Sequence, residues 1–174
     1  MLKKIYADSL TTLNEGDIDF LVAEEEKRAI ERLSIEAKAT EGTPEVLSYL
    51  RDDGFEYALV SNSSLQRLNA CLTSAALTDY FPNEQIFSAH DSLPVARPKP
   101  LPDIYLHAVK CLETEASDCV AVEDSISGVR AAVAAGIGRI IGYVGGTHVS
   151  EDERKTRAEA LKSAGSKLLS GCTI

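Results

Sequence analysis

No stretch of this 174-residue chain approaches the ~20 consecutive apolar residues that a membrane-spanning helix needs. The N-terminal MLKKIYADSLTTLNEG has two lysines but no apolar core long enough for export, so neither a helical span nor a signal peptide is expected, and the cytosol is the expected compartment. Positive charge is also scarce. Eighteen Lys and Arg against 27 Asp and Glu give a net charge of -9, which argues against a nucleic-acid partner, since such proteins present a basic face. A site for an anionic metabolite must therefore gather its few cations locally. Cysteine is sparse and unpaired in pattern: Cys71, Cys111, Cys119 and Cys172 form no C-x-x-C and do not cluster with His90, His107 or His148. Reduced thiols are expected. His107 and Cys111 sit four apart on a predicted helix, but two soft ligands fall short of a zinc site. Repeats and low-complexity segments are absent too.

What is present is an alternation of helical and strand patterns. Apolar residues at Ile18, Leu21, Val22, Ala29, Leu33 and Ala37 predict an amphipathic helix over 17–39, its acidic triplet Glu24, Glu25 and Glu26 solvated and supported by a Glu24 to Arg28 pair. A second helix is expected from Thr43 as N-cap, with Pro44 in its first turn, to the terminator Gly54. FEYALV predicts a strand over Phe55–Val60, the serines of SNSS cap a helix through Leu65, Leu68 and Leu72, and QIFSA reads as a short strand. A helix begins near Pro102 with Asp103 favouring its dipole. Cys119–Val122 reads as a strand followed by a helix to Ala135, IGRIIGYV as another strand, and Glu151–Leu169 as a final helix. Strands alternating with helices imply an α/β fold with a doubly wound, mostly parallel sheet.

In such sheets ligands gather beyond the carboxyl ends of the strands. Ser61 and Asn62 follow one predicted strand, Glu123 and Asp124 follow another, and Lys99 lies in a loop between them, so all five are expected at one crevice. Pro98 and Pro100 flank Lys99 and stiffen its loop. Its compact charge suits a phosphate. The adjacent acids Glu123 and Asp124 repel one another unless a cation lies close, and Mg²⁺ suits such oxygen ligands. Taken alone, the same pair has a second reading as a cap for the helix that begins near Ser125.

The ordered set LVSNSS, RPKPLPDIY and VAVEDSISGVRAAVAAG resembles the haloacid dehalogenase superfamily, in particular its β-phosphoglucomutase-like phosphatases and mutases, over roughly residues 41–147. The resemblance implies a Rossmann-like core and a Mg²⁺-dependent phosphomonoester hydrolase for a sugar phosphate or a similar small phosphorylated metabolite. Ser61 then matches the hydroxyl that binds the transferring phosphate, with Asn62 beside it. Lys99 matches the lysine that neutralises phosphate and nucleophile, and Glu123 and Asp124 match the acids that hold Mg²⁺ directly or through water.

Family members also open with an apolar strand ending in an Asp-x-Asp-Gly-Thr type motif, whose first aspartate attacks phosphorus. This sequence has none. Asp17 and Asp19 in EGDIDF fall within a helical pattern, and Asp52 and Asp53 end a helix. The expectation is an α/β core over 41–174 without its usual motif I strand, preceded by the remnant of a helical cap over 1–40. The two interior edges beside the lost strand are expected to stand unpaired or to pair directly, and exposed edges favour self-association. As given, the chain is expected to be inactive for want of the nucleophile. The alternative is a non-catalytic descendant that binds phosphate or a partner protein through the same residues.

Overall fold

The computed structural model describes residues 14–145 and 150–170. His148, Cys172 and the lysine-bearing N-terminal stretch lie outside them. The first helix, α1 (Glu15–Glu36), starts from a capping box in which Asn14 and Asp17 exchange hydrogen bonds of 2.9 and 3.0 Å, so Asp17 serves as a helix start as expected. Glu24 pairs with Arg28 at 3.8 Å. The acidic triplet does more than face solvent: Glu25 and Glu26 each meet Arg67 at 2.6 Å, tying α1 to the third helix.

Helix α2 (Thr43–Asp52) begins after Gly42, whose φ of 81° makes the turn that Thr43 was expected to cap. Strand β1 (Leu59–Ser61) is shorter than Phe55–Val60. The chain instead hooks back at Gly54, where φ is +74°: Phe55 N–H donates to the Leu50 carbonyl at 2.8 Å and its ring stacks on Tyr49. Then follow α3 (Leu65–Ser74), capped by Ser64, β2 (Ile86–Ser88), α4 (Asp103–Cys111), β3 (Val120–Glu123), α5 (Ile126–Ala134) and β4 (Arg139–Tyr143). The last predicted helix ends early. It is α6 (Glu151–Ala164), stopped at Gly165 with φ of 122°, and Leu168–Ser170 forms a further strand, β5.

Among the described residues every strand pairing is parallel, but the strands form two sheets: β1 with β2, and β3–β4–β5 with β4 in the centre. No ladder among the described residues joins β1 to β3, and none pairs with the β1 and β3 edges that face each other. Helices α2 and α3 cover one face of the β1–β2 pair through Leu47, Leu68 and Leu72, which pack on Ile86 and Leu59. Helix α4 covers the other through Ile104 and Ala108 against Phe87 and Ala89. The three-stranded sheet is covered on one face by α5 and α6, where Val129, Ala132 and Leu161 pack with Ala121 and Ile140. Its opposite face leaves Val120 and Val122 exposed. Among the described residues no helix is long and apolar enough to cross a membrane.

Candidate functional site

Ser61 is the last residue of β1 and Glu123 the last of β3, so the break between the sheets is flanked by both strand ends. A cavity of about 320 Å³ lies there, lined by Ser61, Asn62, Lys99, Glu123 and Asp124 together with Ser125 and Ser127. All five residues singled out from the sequence meet at this one place.

Each is held by an identifiable contact. The side-chain amide of Asn62 clasps the Lys99 backbone at two points, accepting from its N–H at 2.8 Å and donating to its carbonyl at 3.3 Å. The loop bearing the lysine is thereby fixed to the end of β1. The Lys99 side chain is only 7% exposed, and its ammonium donates to the Val60 carbonyl at 2.9 Å and to the Glu123 carboxylate. That carbonyl lies on the open edge of β1, so the lysine satisfies a backbone group that a neighbouring strand would otherwise take. The lysine thus bridges the break in the sheet. Removing one member of so buried a pair costs roughly 3–5 kcal/mol, because the other charge is left uncompensated.

Glu123, also 7% exposed, takes a second donor on the same oxygen, the Tyr105 hydroxyl at 2.5 Å. Burial first, then the charge of Glu123 and this hydrogen bond, push the Tyr105 phenol well above its ordinary pKa. Ser125, not either acid, caps α5, accepting from Gly128 N–H at 3.0 Å. The capping reading of the acid pair therefore falls away, and the two acids have different surroundings. Asp124 is exposed at the cavity mouth while Glu123 is held inside. Ser61 Oγ accepts from Ser63 N–H at 3.1 Å, which leaves its hydroxyl hydrogen free to point at a ligand.

Among the described residues no group of three His, Cys, Asp or Glu side chains converges as a ready metal cage. One open carboxylate beside hydroxyls suits a hard cation that keeps its waters and shares a substrate phosphate. Asp124 in this setting fits Mg²⁺ on those terms. Asp17 and Asp19 lie on α1, and Asp52 and Asp53 at the end of α2, none of them among the residues lining the cavity. His107 and Cys111 approach to 3.7 Å, and the His107 ring packs edge-on against Phe87. Two residues of the site were not foreseen. Tyr105 showed only as a polar tip on an apolar helix, and Gly128 as one small residue among several.

A model of haloacid dehalogenase-like hydrolases matches residues 3–136. The chain belongs to the haloacid dehalogenase-like hydrolase family. The match reaches well to the N-terminal side of the region over which the motifs carry the resemblance. This family member is 34% identical over 140 residues to a phosphoglycolate phosphatase of Nitrosospira multiformis, covering 78% of the chain and 60% of that protein's length. A haloacid dehalogenase-like protein of Agrobacterium tumefaciens superposes with a TM-score of 0.76 at 32% identity, over 98% of this chain and 70% of that one. A hydrolase of the same family from Deinococcus radiodurans, crystallised with bound phosphate and sodium, superposes with a TM-score of 0.70 at 28% identity, over 97% of this chain and 68% of that one.

Proposed function

We propose that this chain carries the phosphate- and cation-gripping part of a Mg²⁺-dependent phosphomonoester hydrolase for small phosphorylated metabolites such as sugar phosphates, working in the cytoplasm, and that alone it binds the oxyanion without turning it over. The observation that carries this reading is the meeting of Ser61, Lys99 and Asp124 around one cavity at the ends of two parallel strands. Lys99 offers a fixed positive charge, Ser61 a hydroxyl donor, and Asn62 keeps the lysine loop in place. Asp124 would hold Mg²⁺, with Glu123 behind it, and the ion would supply charge neutralisation at the phosphate oxygens. Phosphate bound in the Deinococcus radiodurans relative supports the oxyanion assignment.

The missing component in this reading is the attacking carboxylate, placed on a strand that enters between β1 and β3. Support comes from the edges of those strands, which no described residue pairs, and from the greater length of the relatives, of which the chain covers 60% in the Nitrosospira multiformis protein. Residues 1–40 are then the remnant of a cap, and 41–174 the core. One observation favours a second reading, a non-catalytic phosphate binder: Glu123 already neutralises Lys99 within the chain.

A panel of sugar phosphates tests both, assayed with the chain alone and with an upstream apolar strand ending in Asp-x-Asp joined to it. The expected result is no hydrolysis by the first and Mg²⁺-dependent hydrolysis by the second. Hydrolysis at ordinary enzymatic rates by the chain alone would overturn the missing-nucleophile account. An extended chain that binds phosphate yet turns nothing over would select the non-catalytic reading.

A further inference from the structure

The two adjacent acids are treated very differently by the fold. Along β3, Ala121 and Glu123 point to the covered face while Val120 and Val122 point away, so Glu123 is driven towards the interior by strand alternation. There its carboxylate is enclosed by three elements. Tyr105 on α4 donates its hydroxyl to Oε1, the atom that also accepts from Lys99. The ring of Tyr105, itself 7% exposed, lies beneath the Lys99 ammonium, with Nζ 4.9 Å from the ring centroid. On the far side the carboxylate rests on the backbone of Gly128 in α5. A Cβ at that position would stand 1.9 Å from Oε2 and 2.1 Å from Cδ.

Helix capping explains none of this, because Ser125 performs it. A lysine ammonium on a flexible four-carbon stem has no preferred aim of its own, and a buried charge needs a partner that is itself fixed. We infer that Glu123 is the counter-ion that aims Lys99 into the cavity, that Tyr105 and Gly128 are positioning residues acting through Glu123, and that direct contact with a cation falls to Asp124. This division of labour rests on the proposed reading of the cavity as a phosphate and cation site.

NMR of the full chain tests it without any turnover. The Lys99 Cε–Hε cross-peak, held over an aromatic face, is expected upfield of the surface lysines. Tyr105→Phe keeps the ring and removes only the hydroxyl. It should return this cross-peak towards the surface cluster and weaken orthophosphate binding in the presence of Mg²⁺ by about tenfold, the factor that 1.4 kcal/mol represents. Gly128→Ala should do the same by displacing Glu123. Relaxation enhancement by Mn²⁺ then separates the acids: Asp124→Asn should weaken ion binding far more than Glu123→Gln, whereas Glu123→Gln should move the Lys99 cross-peak more than Asp124→Asn. An unshifted Lys99 cross-peak in the wild type, or a Tyr105→Phe protein that melts earlier with cross-peak and phosphate affinity unchanged, would reduce Tyr105 to a packing role and overturn the inference. The reverse ranking of the two acids would overturn it as well. If the wild type binds no orthophosphate, the functional reading fails, and the cross-peak and the ion ranking still judge the aiming of Lys99.

Discussion

The two sheets are built from the same kind of parallel strand but finished differently. In the β1–β2 half, helices lie on both faces, and Ile86 and Phe87, neighbours on opposite faces of one strand, are 6% and 5% exposed. In the β3–β4–β5 half the described residues cover only one face, and Val122 is 63% exposed although it sits in a strand of apolar residues up to Glu123. Parallel sheets occur almost only with both faces covered. The difference therefore marks the second half, and the edge of β3 that faces β1, as the place where the fold is open. The cavity lies on that boundary, and Lys99 is the side chain that spans it.

The sharpest way to break the comparison is to truncate matched strand residues. Phe87→Ala should cost about 3–5 kcal/mol in denaturant unfolding, as a buried aromatic does. Val122→Ala should stay within about 0.5 kcal/mol, as substitutions on an open surface do. Equal costs would mean that the valine face is covered in solution, and sedimentation would then reveal a second copy.

Next in size are the serines that begin the helices after β1 and β3. Ser64 accepts from Arg67 N–H and donates to Glu26 at 2.5 Å, while Ser125 caps α5. Each Ser→Ala change should lower stability by about 1 kcal/mol. Only Ser64→Ala should also loosen α1, seen as faster amide exchange along Glu15–Glu36. Loosening of α1 by Ser125→Ala would show that the two halves are coupled more tightly than their separate sheets imply.

The smallest expected effect is a pH dependence confined to the first half. Asp91 accepts from His90 and from Leu65 N–H at the start of α3, and these hydrogen bonds, that of His90 first, hold its carboxyl below the usual aspartate range. A depressed folded value contributes stability that is present above about pH 4 and lost as the pH falls through the folded value. Asp91→Asn should therefore melt slightly earlier than the wild type at neutral pH, match it at the acid end where the contribution is already lost, and so show a flatter acid limb.

Much of this was legible beforehand because it is local. The run from Val120 to Val122 ending on two acids, the serines after LVS and the prolines around Lys99 each declare a strand end, a cap or a stiff loop within a few residues. Strand order in time then brought the five site residues to one cavity. The failures were tertiary or marginal. Phe55 has the composition of a strand residue, but the left-handed turn at Gly54 spends it on Tyr49. Leu168 and Leu169 continue a helical pattern that Gly165 interrupts, and pairing with β4 decides their state. The enclosure of Glu123 by Tyr105 and Gly128 depends on α4 and α5 meeting across β3, which no spacing within either segment announces.

Calorimetric titration of the wild-type chain and of Asp124→Asn with orthophosphate, each with and without Mg²⁺, tests most directly whether the cavity between the sheets is a cation-assisted oxyanion site. The account predicts binding that Mg²⁺ strengthens in the wild type and no strengthening in the variant. Phosphate affinity indifferent to Mg²⁺ in the wild type, or an equal response in both proteins, would contradict it.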